Sequence, residues 1–501
     1  MVRSLLFSSI TFLYYFLPAV LVIYYLAPAK VKNLILFLAS FVFYLWGEPK
    51  YSVLLLFSVT AGYMGGRCIE YQRQKKCVSA ADPADRSGKY KGGHDRLVVG
   101  IFTAMTLGLL VFFKYMDFLA DSVNRILGTH VPMVQIALPV GISFYTFQII
   151  SYYVDVYRGE VAAEHNFVDF AAYVTMFPQL IAGPIVRFQS VQAELKHREI
   201  TWEKTGEGAA RFVCGLCKKV LIADSLASLV SALQNISETA AKTEAVVTTG
   251  IRAEGAGIGT LGYWVLALAF MLQLYYDFSG YSDMAIGLGK MLGFQIPVNF
   301  RFPYISKSVT EFWRRWHITL GRWFRDYVYI PLGGSRKGRL RTMFNLFAVW
   351  ILTALWHGAG YNFLIWGGML LGALFLEKLF LLPFLQKSKV IGHVYLLLFV
   401  PVTWMAFTIT DVHQLGIYLT RMFPFVNAHT GMVNSMDYIK YLKDYDSLLA
   451  MGVLFATPVP AVIYGKIKRG MLGTLAIAVI FALSMYYLAV SANNPFLYFN
   501  F

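Results

Sequence analysis

Charge is scarce in this chain. Only 14% of its 501 residues are Asp, Glu, Lys or Arg, where a soluble domain carries about a quarter. Hydrophobic residues make up 57%, which excludes a soluble globular protein. Short alternating segments, the mark of a membrane β-barrel, are lacking; long continuous apolar runs take their place. Cysteine is scarce too, with four residues. Cys214 and Cys217 form a C-x-x-C, but no second pair exists to complete a structural zinc site. The surrounding "RFVCGLCKKVLIAD" reads as a helix entering the membrane. No internal repeat of the transporter kind and no low-complexity tract is present.

Acidic residues number 28 against 44 basic ones, a net charge of +16. Such an excess could suit nucleic acid. In a polytopic protein, however, Lys and Arg gather in cytoplasmic loops and fix orientation. The stretch "RCIEYQRQKKCVSAADPADRSGKYKGGHDR" (67–96) holds eight basic residues against four acids and is placed inside. A contact with acyl-CoA or anionic lipid is the other reading of that loop.

Apolar runs long enough to cross a bilayer, which takes roughly 20 residues each, recur throughout. Because hydrocarbon leaves backbone groups no partners, the spans are expected to be α-helices. About ten to twelve are counted, several short enough to be tilted, re-entrant or interfacial. Residues 5–26 read as a retained first helix despite the "APA" that follows. Residues 234–259 are expected outside. The simplest partition is one integral membrane domain over 1–501.

Two stretches break the apolar monotony. "TEFWRRWHITLGRWFRDYVYIPLGG" (310–334) places Trp313, Trp316, Leu320, Trp323, Phe324 and Tyr327 on one side of a helical wheel. Arg314, Arg315, Arg322 and Arg325 fall on the other, as in a helix lying at the membrane surface. His317 sits on the aromatic side near the boundary. An aromatic belt with anchoring arginines accounts for the same pattern without any chemistry. The second stretch is "FAVWILTALWHGAGYNFLIWGG" (347–368). No charged residue lies between Met343 and Leu376, so His357 is an isolated ionisable group at membrane depth, the kind of position that marks function. A core histidine bonded to Thr353 is the alternative. Gly358 and Gly360 let the backbone bend or a substrate approach closely. A desolvated imidazole stays neutral and can take a proton from a hydroxyl. Two histidines, glycines and a cationic entrance point to acyl transfer to an alcohol.

These residues resemble the membrane-bound O-acyltransferases, in the bacterial branch that O-acetylates polysaccharide and peptidoglycan. The resemblance rests on "LPVGISFYTFQ" (138–148), "MFPQLIAGPIVRF" (176–188) and "YYDFSGYSDMAIGLGKMLGF" (275–294). It continues through "NFRFPYISKSVTEFWRRWHITLGRWFRDYVYIPLGG" (299–334), "LTALWHGAGYNFLIWG" (352–367) and the terminal "NPFLYFNF". It implies helices ringing a thin centre, with an acyl-transfer tunnel between a cytosolic donor and an outer acceptor. His357 matches the family's essential histidine, and His317 its second signature histidine. The donor implied is acetyl-CoA, a substrate rather than a bound cofactor, with its phosphates facing Arg314, Arg315, Arg322 and Arg325. The acceptor implied is a hydroxyl of extracytoplasmic polysaccharide or peptidoglycan, reached directly or through an SGNH-type partner protein. The location implied is the bacterial cytoplasmic membrane. No metal is called for. The chain departs from the family pattern at "WMAFTITD" (404–411), where an arginine-containing "FFRA" is common, and at Gly321, where serine is common. Both departures bear on acceptor choice.

Two alternatives share these features. D-Alanyl transfer from a carrier protein towards teichoic acid uses the same chemistry. A transporter or flippase with His357 as a proton relay belongs to another class, and would move substrate without freeing thiol from acetyl-CoA.

Overall fold

The computed structural model describes residues 6–79, 93–247, 257–423, 425, 433–434, 436–490 and 497. Residues 80–92 of the basic 67–96 stretch, 248–256 of the 234–259 segment and most of the terminal "NPFLYFNF" lie outside them. The all-α polytopic expectation holds. Seven described helices are long and apolar enough to cross a membrane: Ala29–Gly47, Pro49–Lys75, Arg96–Leu127, Thr260–Met291, Tyr361–Lys387, Lys389–Thr408 and Met471–Val490. The pair Asp446–Phe455 and Val459–Ile467, bent by 72°, makes an eighth if taken as one span. The other apolar runs form shorter helices such as Ile142–Arg158 and Phe167–Thr175, both almost wholly buried. Lipid tolerates such short pieces only where protein surrounds them. Among the described residues the sole strand pairing joins Gly257–Ile258 to Val433–Asn434.

The chain divides into two compact units that interleave along the sequence. The first comprises Met1–Phe212, Tyr281–Val298 and Arg322–Val328; the second comprises Val213–Gly280, Asn299–Gly321 and Tyr329–Phe501.

In the first unit, backbones meet where side chains are absent. A methyl added at Gly287 would lie 2.6 Å from Phe212 N, and one at Gly208 would lie 2.7 Å from Gly287 O. Such glycines let helices approach closely where no hydrophobic gain drives them together. Trp323 stacks on Phe147 at 3.8 Å and donates its indole N–H to the Phe147 carbonyl at 3.0 Å.

In the second unit, Arg339–His357 and Tyr361–Leu376 form a helical hairpin with only Gly358, Ala359 and Gly360 between them. A methyl at Gly367 would come 2.8 Å from the Ala354 methyl, so these helices pack at small residues. Lys389–Thr408 joins them, with Asn362 Nδ2 donating to the Phe407 carbonyl at 2.9 Å. A short helix, Val309–Arg315, docks beside this group. Ser308 accepts from Glu311 N at its start, and the buried Glu377 carboxylate accepts from Val309 N at 2.6 Å and Thr310 N at 2.9 Å. Those backbone donors have no partner inside the helix, so a carboxylate from a neighbouring element fixes its position.

Candidate active site

The arginine- and tryptophan-rich stretch is not one helix. It forms Val309–Arg315 and Ile318–Phe324, broken at Trp316 and His317. His317 has φ +44°, a left-handed conformation that costs a residue with a side chain on the order of 1–2 kcal/mol. The break turns His317 inward: it is 1% exposed. Neither ring nitrogen has a hydrogen-bond partner among the described residues. Phe278 meets the imidazole edge-on with ring centres 4.9 Å apart, and Trp356 does so at 5.9 Å. His317 lies outside the candidate spans, and burial pushes its pKa down to about 3. It is therefore a neutral imidazole at any physiological pH.

His357 ends the Arg339–His357 helix and is 6% exposed. Its ring lies 4.9 Å from Trp366, 5.0 Å from Trp356 and 5.4 Å from Phe407, each nearly perpendicular. The Thr353 hydroxyl donates to the Val349 carbonyl at 2.7 Å, one turn back in its own helix. Trp356 thus touches both histidines. The wall continues from Trp366 to Trp313 at 5.8 Å and Trp404 at 6.2 Å. Two buried imidazoles in an aromatic enclosure can exchange protons with a reactant while excluding bulk water.

Of the four arginines, Arg314 and Arg315 belong to the same unit as these rings, and Arg322 and Arg325 to the first unit. Arg314, Arg322 and Arg325 are exposed and Arg315 half-buried. Arg315 pairs with Glu311 at 2.8 Å and donates to the Arg301 carbonyl at 3.2 Å. Arg325 pairs with Asp326 at 2.7 Å. Their exposure suits an anion arriving from water, although Arg315 and Arg325 already hold carboxylates. Arg158 and Arg187, not singled out from sequence, join Arg325 in the first unit. Arg187 Nη1 binds Asp326 Oδ2 at 3.0 Å, and Arg158 Nη2 donates to the Asp326 carbonyl at 3.0 Å. Arg187 had a signal, since it sits in "GPIVRF".

Sequence reasoning also passed over the walls of the site. Trp356, Trp366, Trp404, Phe407 and Phe278 belong to apolar stretches where an aromatic residue has no distinctive spacing. Trp404 and Phe407 come from "WMAFTITD", the stretch that departs from the family pattern, and the structure gives that stretch a place beside His357.

The chain is thus a polytopic helical protein that buries two histidines among aromatic rings. The sequence profile of the membrane-bound O-acyltransferase family matches residues 158–420. The chain is 44% identical to a probable alginate O-acetylase AlgI of Pseudomonas aeruginosa over 370 residues, 72% of this chain and 64% of that one. With the probable alginate O-acetylase AlgI of Azotobacter vinelandii it shares 37% identity across 99% of this chain and all of that one. With a peptidoglycan O-acetyltransferase of Helicobacter pylori it shares 33%, over 72% and 68% of the two chains. The chain belongs to the membrane-bound O-acyltransferase family, as a multi-pass O-acyltransferase.

Proposed function

We propose that this enzyme moves an acetyl group from acetyl-CoA, taken from the cytosol, to a hydroxyl of an extracytoplasmic polysaccharide or of peptidoglycan. Relatives named for alginate and for peptidoglycan O-acetylation support the acetyl group and the acceptor class. The observation that supports the chemistry is that Trp356 contacts both His357 and a buried, neutral His317.

In this reading His357 accepts the proton of the acceptor hydroxyl as its oxygen attacks the thioester carbon. The C–S bond breaks, and the proton passes from the imidazolium to the departing thiolate. His317, held neutral by burial, donates one ring N–H to the carbonyl oxygen as negative charge develops there, an interaction that gains strength in a water-excluded site. Arg314, Arg315, Arg322 and Arg325 face the donor phosphates. The acetyl group reaches the polymer directly or through an SGNH-type partner outside a bacterial cytoplasmic membrane.

The test is ester-linked acetate released by mild alkali from envelope and secreted polymer, per unit of membrane-inserted protein. Cells carrying wild type, His357→Ala or no gene are compared. Acetate should fall to the gene-less level in His357→Ala. Normal acetate in that variant would remove His357 from the chemistry. D-alanine in place of acetate would move the reading to teichoic acid acylation, and no ester in any strain would favour transport.

A further inference from the structure

His317 holds a backbone conformation that its own sequence does not favour, so something beyond the residue must impose it. The segment 299–302, lying before the Val309–Arg315 helix, is paired with both sides of the break. Arg301 N donates to the Arg315 carbonyl at 2.9 Å, just before the break, and Ile318 N donates to the Asn299 carbonyl at 3.0 Å, just after it. The Asn299 side chain adds two more bonds: its Oδ1 accepts from Thr319 N at 3.1 Å and from Thr319 Oγ1 at 2.9 Å. A backbone N–H can only donate, so the Asn299 atom facing Thr319 is its oxygen. Asn299 is fully buried, and water cannot replace it. Phe302, in the same segment, also has positive φ at +48°. Among the described residues only three non-glycine residues have positive φ, and two of them, Phe302 and His317, belong to the two segments paired here. Strain of this kind persists where surrounding structure over-determines it, and it gathers at functional sites.

We propose that Asn299 is a positioning residue for acyl transfer: its carbonyl oxygens lock the first turn after the break, and thereby aim the His317 imidazole into the enclosure shared with His357. Asn299 touches no reactant and acts through His317, so the proposal rests on His317 serving the reaction. Four hydrogen bonds across two loops hold one φ angle. Removing the side-chain acceptor takes two hydrogen bonds from the turn after the break and lets His317 relax towards the ordinary helical region. A continuous helix would carry the imidazole away from Phe278 and Trp356.

The test uses the full-length chain in cells lacking the native gene. Ester-linked acyl groups are trapped as hydroxamates with hydroxylamine, identified by mass, and normalised to membrane-inserted protein. Thermal unfolding midpoints are measured on the detergent-purified proteins. Asn299→Leu, with the same branched heavy-atom skeleton but without an acceptor, should lower acyl ester about 10–100-fold, the loss that a misplacement of order 1 Å brings, with its midpoint near wild type. Asn299→Asp, which keeps an acceptor oxygen, should recover most of that loss. Full activity in Asn299→Leu would overturn the proposal. So would Asn299→Asp proving no better than Asn299→Leu at a normal midpoint, because a structural role would not separate them in this way. If Asn299→Leu fails to insert, Thr319→Val decides: it deletes one donor and should cost about threefold to tenfold, what one neutral hydrogen bond carries, and wild-type activity there overturns the proposal. A hydroxamate other than acetohydroxamate changes the acyl group assigned above and leaves this comparison intact. Equal ester with and without the wild-type gene would overturn both.

Discussion

Replacing Gly358 by alanine tests whether the turn beside His357 is a packed joint or open space. Gly358 has φ −173°, extended backbone that any residue adopts, so the consequence of a methyl is steric. Its Cβ would overlap Cε2 and Cδ2 of Phe363 and come 2.7 Å from Cζ. Phe363 is 5% exposed and stands edge-on to Phe407 at 5.2 Å. Phe407 in turn lies 5.4 Å from His357 and 5.2 Å from Trp366. The ring cannot swing clear without pushing the residue that borders the imidazole. Overpacking of this kind typically costs about 1–3 kcal/mol, and a displacement of order 1 Å at the reacting group costs about 100-fold in rate. Gly358→Ala should therefore insert at reduced levels and lose about 100-fold of ester-linked acetate per inserted molecule, well beyond what the stability loss explains. Gly368→Ala is the control. Its added methyl meets nothing within 4 Å, so activity should hold and helix propensity should add up to about 1 kcal/mol. Full activity in Gly358→Ala would refute the reasoning and return the glycine to the role of giving a substrate room.

Lys219 sits in a π-helical turn, Lys218–Ala223, and binds Asp224 and Asp277 at 2.7 Å each with its side chain 4% exposed. Lys219→Met leaves the buried Asp277 and the half-buried Asp224 without their shared cation, and breaking such a buried pair costs about 3–5 kcal/mol. The variant should vanish from the membrane fraction and return when both aspartates are also made Asn; accumulation of Lys219→Met at wild-type level would contradict this. The pH dependence follows from His317. Its folded pKa, about 3, lies below the unfolded value of about 6.5, so the unfolded chain binds the proton first. Stability is lost as pH falls from about 6.5 to about 3. The thermal midpoint of the purified protein should drop through that window, and His317→Gln should drop less steeply; parallel curves would show that His317 is protonated in the folded state.

The sequence by itself determined the class of protein. Apolar runs between charged punctuation dictate helices in lipid, because a bilayer offers backbone groups no other partner, and seven such helices lie among the described residues. His357 stood out as a lone ionisable group in a charge-free run, costly to bury, and the structure buries it at 6% exposure. His317 was legible as a residue but not in its setting. A wheel drawn over 312–327 assumes unbroken helical φ and ψ, and nothing local announces that a histidine will adopt φ +44°. That conformation comes from residues 299–301, some 16 positions earlier in the chain, through hydrogen bonds that no periodicity encodes. The enclosure was hidden likewise. Trp356, Trp366 and Phe407 come from three helices, and an aromatic residue in an apolar helix looks the same whether it meets lipid, a core or an imidazole. Composition and periodicity record what each segment needs from its surroundings. Which segments supply it to one another is set by tertiary contact, and only the folded chain brings Phe278 and Trp356 to His317 and Asn299 to the turn that follows it.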